Sequence, residues 1–176
     1  MKKLPLNNQP KYFLDPAGEF VIQNYNYAKP FANFFPGIAG KYGIPLWAFY
    51  VNRGQCICSF GTKDKDHAIL EFFPANKAWQ VIGNFVFRTL IKVLRTKQEP
   101  VYYEPFHNGY NNLKYKIANC LKINSAELHL EEENQTLGLK VKVKYFSIPN
   151  ETFAGLARVV TVENTTGKKQ ELQLID

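Results

Sequence analysis

The tightest constraint on the fold is a run near the carboxyl end in which apolar and basic residues alternate one by one. Across residues 136–146, Leu139, Val141, Val143 and Tyr145 take one parity and Lys140, Lys142 and Lys144 the other. Successive side chains of a β-strand point to opposite faces, so this pattern is a half-buried strand. Residues 156–163 follow as a second extended run, Asn164-Thr165-Thr166-Gly167 supplies turn chemistry, and residues 171–175 begin a third strand. That third strand meets Asp176 with no polar tail or helix to cap it. The pattern reads as a cut through a larger sheet protein, whose active site would lie outside these residues.

A chain of 176 residues is long enough to bury a core as one domain without metal or disulfide staples. Its 14 Phe, 10 Tyr and 2 Trp against 1 Met favour pleated sheets over helices. The expected class is therefore mainly β, an antiparallel sandwich over residues 1–176. Three cysteines are an odd number without framework spacing, which argues for a reducing, cytoplasmic compartment. Met1-Lys2-Lys3 begins like a secretory signal, but residues 4–10 hold two prolines, two asparagines and a glutamine where an apolar core belongs. No signal peptide or membrane span is expected, and the sequons at Asn134, Asn150 and Asn164 then carry no sugar.

The formal charge of +7 is unevenly placed. Residues 1–123 hold 16 Lys or Arg against 7 acids, and residues 124–176 hold 6 against 8. An anionic partner would profit from such a field. The basic residues form no tract or arm, however, so a solvated surface is the plainer reading and nucleic acid an unfavoured one.

Along the chain, residues 11–27 give two short extended pieces around Asp15-Pro16-Ala17-Gly18, a hairpin. Residues 30–45 mix Phe31, Phe34, Phe35, Ile38 and Tyr42 with three glycines and three prolines; the expectation is an aromatic loop packed on a surface or a neighbouring domain. Residues 46–52 and 55–60 flank Arg53-Gly54 as a tight hairpin. Residues 67–73 form a further short strand. Residues 84–95 make an inner strand covered on both faces, with Phe85, Phe87, Thr89, Ile91 and Val93 sharing one of them. Residues 113–123 fit helix or strand, and their neighbours favour strand. Ala126, Leu128 and Leu130 alternate before Glu131-Glu132-Glu133-Asn134-Gln135, expected as a charged turn.

Four clusters could carry chemistry. Residues 61–67 place Asp64, Asp66 and His67 on one loop, where they could bind a cation or exchange protons. Interleaved lysines favour a solvated connection instead. Cys56 and Cys58 share a strand face and could join Cys120 and His67 around zinc, but the paired ligand spacing is missing and small apolar packing is the simpler role. A Cys nucleophile with His107 or His129 lacks supporting context. Aromatic rings invite sugar, because the C–H face of a pyranose stacks on flat rings while its hydroxyls seek amides and carboxylates. Trp47, Trp79, Tyr102, Tyr103, Asn76 and Gln80 suit that role, although rings in β-proteins more often fill the core.

Residues 61–80, with Phe87-Arg88-Thr89, Tyr103-Glu104-Pro105-Phe106, residues 144–153 and residues 160–164, resemble the amino-terminal region of cellobiose-phosphorylase-like enzymes, in particular the β-1,3-glucan phosphorylase branch. The resemblance spans most of residues 13–176, and its early block is its more specific part. It implies an incomplete galactose-mutarotase-like sandwich, followed in the parent enzyme by a helical linker and an (α/α)-barrel. It also implies inverting phosphorolysis of β-glucan oligosaccharides. There a protonated Asp of the barrel donates to the glycosidic oxygen while inorganic phosphate, a co-substrate and no bound cofactor, attacks the anomeric carbon from the opposite side. Phosphate needs no general base, so one carboxylic acid suffices.

No residue here matches that acid, so the chain alone is expected to be inactive. The partners implied are an oligosaccharide, the parent's barrel and a second copy in a homodimer. Residues 30–45 and 64–80 are the segments expected at such contacts, and Trp47, Asp64, Asp66, His67, Asn76, Trp79 and Gln80 are the substrate-binding candidates. A stand-alone carbohydrate-binding module is the alternative.

Overall fold

In a computed structural model of the chain, the described residues are 9–52, 54–60, 87–107 and 114–176, with backbone alone at 32, 34–37, 45, 47, 49 and 56–60. Twelve strands account for most of them. The hairpin β1 (Lys11–Leu14) and β2 (Phe20–Gln23) turns on Asp15, whose Oδ1 accepts hydrogen bonds from the backbone N–H of Ala17 at 2.9 Å and of Glu19 at 3.0 Å. A 3-10 turn at Tyr25–Tyr27 leads to β3 (Ala32–Ala39), β4 (Ile44–Val51) and β5 (Cys56–Phe60). Next come β6 (Leu90–Leu94) and β7 (Val101–Tyr103). The remainder is β8 (Ile117–Ile123), β9 (Glu127–Asn134), β10 (Leu139–Ser147), β11 (Leu156–Asn164) and β12 (Glu171–Ile175).

These strands form three sheets, in the orders β1-β2-β8-β9-β10-β11, β12-β6-β7 and β3-β4-β5. Every named pair is antiparallel. The fold is thus mainly β and sandwich-like, as the composition implies, and the described residues form no closed barrel. Parity explains why the sheets stack. In β10 Leu139, Val141, Val143 and Tyr145 are all but fully buried while the intervening lysines are half-buried. The apolar face meets Ile91, Val93 and Tyr103 of the second sheet and Leu46, Ala48 and Tyr50 of the third in one continuous core. Each large aliphatic side chain enclosed there contributes roughly 1.5–3 kcal/mol.

Several expectations hold. The Asp15 hairpin, the β4–β5 hairpin and the strands expected at 156–163 and 171–175 all form, and the strand favoured over 113–123 forms from Ile117 onward, with residues 114–116 outside it. Others need correction. Residues 30–45 are no loop, because β3 occupies Ala32–Ala39 and pairs with β4 along its whole length. Pro36 cannot donate to a ladder, but among the described residues β3 has a paired neighbour on one side only, and such an edge tolerates proline. Nor do residues 131–135 make the charged turn. Glu131 to Asn134 continue β9, and the chain reverses over 135–138, where Asn134 Oδ1 accepts from the N–H of Thr136 and Leu137 at 3.1 and 3.0 Å. The long strand accordingly starts at Leu139, three residues later than 136.

The strand expected over 84–95 is shorter among the described residues, since β6 covers Leu90–Leu94 and residues 87–89 belong to no strand. One of its faces is buried through Ile91 and Val93, whereas Leu90 on the other stays 40% exposed, so it is not covered on both sides. The last strand also departs from the expected run. β12 pairs with β6, not with its sequence neighbour β11. The strand expected at 67–73 lies outside the described residues. Among the described residues, no helix is long and apolar enough to cross a membrane.

Candidate functional site

Two-residue periodicity turns one set of side chains in the β12-β6-β7 sheet toward the core and the other set out. Lys92 lies opposite Tyr102 on one side and Gln173 on the other, and Leu90 lies opposite Ile175. These outward positions, with Glu104 and His107 from the segment after β7, line an open groove of about 450 Å³. Tyr102 is 67% exposed there, with Lys92 Nζ 5.8 Å from its ring centroid. Glu104 is held by Arg88 at 3.5 Å, and His107 is exposed. The arrangement offers a flat ring bordered by an ammonium, an amide, a carboxylate and an imidazole. Such a surface can stack an apolar face of a ligand and hydrogen-bond its rim.

Directly beneath, Tyr103 takes the opposite parity and is buried. Its hydroxyl donates to Glu132 Oε1 at 2.6 Å, and the backbone N–H of Phe106 donates to the same oxygen at 3.0 Å. Glu132 is 2% exposed, on the inward face of β9 opposite Asn119 and Val141. Burial raises its carboxyl to about 7, against the opposing pull of hydrogen bonds from Tyr103, the Phe106 N–H and the Asn119 side chain. Burial, reinforced by the neighbouring Glu132 carboxylate, lifts the phenol of Tyr103 well above its ordinary value, and the same two causes act in that order on Tyr25. Phe106 adopts a left-handed backbone with φ of 64°, and its carbonyl accepts from the Gly54 N–H at 2.6 Å.

A second, partly buried polar network surrounds Arg158 of β11. Its guanidinium donates to the Tyr145 hydroxyl at 3.1 Å, to Gln55 Oε1 at 2.6 Å and to Thr89 Oγ1 at 2.7 Å, and it pairs with Asp176. Thr89 donates in turn to Asp176 at 2.8 Å. Every member is engaged, so the cluster is a fastening between sheets.

The outer face of the six-stranded sheet is charged but balanced. Lys140 meets Glu131 at 2.8 Å, Lys142 meets Glu163, Lys144 meets Glu127, and Lys122 meets Asp15 at 3.4 Å and Glu19 at 3.7 Å. The hydrogen bond to Glu163 raises the Lys142 ammonium, and the one from Lys144 lowers the Glu127 carboxyl. A polyanion would find these cations already neutralised.

Of the sequence candidates, Asp64, Asp66, His67, Asn76, Trp79 and Gln80 lie outside the described residues. Trp47 sits in β4 opposite Pro36 and Ser59. Tyr102 is on the open platform, whereas Tyr103 is interior and cannot serve as one. Cys120 is buried on β8, its thiol pushed up to about 12 chiefly by burial, and so behaves as a small packing residue. His129 is engaged with Glu127 at 2.8 Å on the charged face. Among the described residues no group of three His, Cys, Asp or Glu side chains could hold a metal ion. Glu132 escaped sequence reasoning. The available signal was its parity, two positions beyond Leu130 in the same inward series.

Comparison with models of known protein families finds no match for the chain. Comparison with curated proteins finds none either.

Proposed function

We propose that the chain is a carbohydrate-binding β-sandwich region of an inverting glycoside phosphorylase acting on β-glucan oligosaccharides. It presents a sugar platform and leaves proton donation to a helical barrel of the same parent. The observation that carries the binding part is Tyr102, an exposed ring on strand β7 with Lys92, Gln173, Glu104 and His107 around it. Stacking needs an open, flat ring that does not swing, and a strand supplies that better than a loop. The phosphorylase part rests on the sequence resemblance. It carries with it inorganic phosphate as co-substrate, a homodimer and a cytoplasmic setting.

Binding of laminari-oligosaccharides to the chain, followed by isothermal titration calorimetry, tests this directly. Tyr102→Ala should weaken binding by roughly tenfold, the scale of one aromatic contact, while leaving the unfolding midpoint nearly unchanged because the ring is exposed. Equal affinity in wild type and variant would refute the platform. Incubated with a β-glucan and phosphate, the chain by itself should release no sugar phosphate, and release would refute the assigned division of labour.

A further inference from the structure

Glu132 is a buried carboxyl on the inward parity of β9, in a core whose other members are mostly apolar, and its hydrogen bonds lead to the groove. Tyr103 adjoins the platform ring Tyr102 in β7. Phe106 lies between Glu104 and His107, the two residues that close one side of the groove. Both Tyr103 and Phe106 donate to the same oxygen, Glu132 Oε1. The segment has a second anchor in the Gly54 N–H on the Phe106 carbonyl. Phe106 is also held at a positive φ that side chains other than glycine rarely adopt. Its conformation therefore depends on fastenings outside the segment.

We propose that Glu132 is the positioning residue of the groove: through Tyr103 and Phe106 it holds the rim from Tyr102 to His107 in place, and the rim is tightest when its carboxyl is neutral. The inference rests on the groove being the binding site. The groups that face Glu132 are Tyr103 from β7 and Tyr25 from the 3-10 turn, with Tyr115 edge-on to Tyr103 at 5.9 Å between ring centroids. From β8 and β10 it faces Asn119 and Val141, so no cation offsets its charge from these elements. With the rim closed, the carboxyl titrates near 7. With the rim open it would be solvated and titrate as an ordinary Glu, at about 4.3. An acid whose value is higher in the closed state stabilises that state fully below the open-state value. It loses that stabilisation as pH rises toward the closed-state value.

Hydrogen exchange of the Phe106 amide in the full chain, corrected for intrinsic rate, reads the rim without any ligand. Protection in wild type should fall at least about tenfold between pH 5 and pH 7.5 and then level off. Glu132→Gln keeps the acceptor oxygen and cannot ionise, so its protection should stay high and change less than about twofold over that range. Tyr103→Phe removes one latch bond and should lower protection at every pH while keeping the slope. A flat wild-type profile, or the same slope in Glu132→Gln, overturns the proposal. The wild-type profile decides the matter even if a variant fails to fold. Laminari-oligosaccharide affinity measured over the same pH range separates the two readings. A sloping exchange profile with no sugar binding leaves the latch standing and removes the carbohydrate assignment, and binding with a flat profile does the reverse.

Discussion

Arg158 is the residue on which the three sheets converge. It stands in β11 and reaches Tyr145 of β10, Gln55 before β5, Thr89 before β6 and Asp176 after β12. Gln55 and Thr89 are almost wholly buried, so removing the guanidinium would leave their oxygens with only the longer bonds from Tyr145 at 3.2 Å and from Gln55 Nε2 at 3.4 Å, in a place water reaches poorly. Arg158→Leu is therefore expected to destabilise the fold by about 2 kcal/mol in urea unfolding, and a change below about 0.5 kcal/mol would show the network to be idle. Neither Arg158 nor Glu132 was legible as a hub from sequence. An inward parity can be read off the pattern, but whether a polar group there finds donors depends on distant residues such as Tyr103 and Phe106.

Among the elements, β3 and β9 show where local rules lose to pairing. Glycine and proline in residues 30–45 argue against regular structure, yet an edge position with β4 alongside makes Pro36 harmless. The turn that follows is fastened elsewhere. The Gly40 N–H donates to Ile148 O at 2.9 Å and the Lys41 N–H to Glu151 O at 2.6 Å, joining the third sheet to the β10–β11 connection. Gly40 has φ of 71°, and a Cβ added to it would stand 2.6 Å from the Phe153 carbonyl oxygen. Gly40→Ala should accordingly cost about 2 kcal/mol in denaturant unfolding, whereas Gly18→Ala, whose site is open at a similar φ, should cost less. Equal losses would mean that the close approach is not felt. In β9 the misreading came from charge. Three successive Glu look like a turn, but they continue the strand: Glu131 is half-buried opposite Cys120, while Glu132, Glu133 and Asn134 are all buried.

At the scale of the whole molecule, the sandwich-like architecture was legible because alternation fixes which side of each strand is buried. Partner choice was not. β12 follows β11 through a turn, with the Asn164 side chain accepting from the Thr166 N–H at 3.0 Å, and then joins β6 across the core. Such pairing is decided by packing between segments far apart in sequence, which periodicity does not encode. It is also what creates the groove, since Gln173 and Ile175 of β12 supply the wall facing Tyr102 across Lys92 and Leu90. The central claim is that this assembled face binds sugar. Titrating isotopically labelled chain with a laminari-oligosaccharide and following amide shifts by NMR tests it most directly. Saturable shifts should gather in residues 90–94, 101–107 and 171–175, with the charged face of β8 to β11 silent. Absence of saturable shifts, or shifts confined to that charged face, would contradict the account.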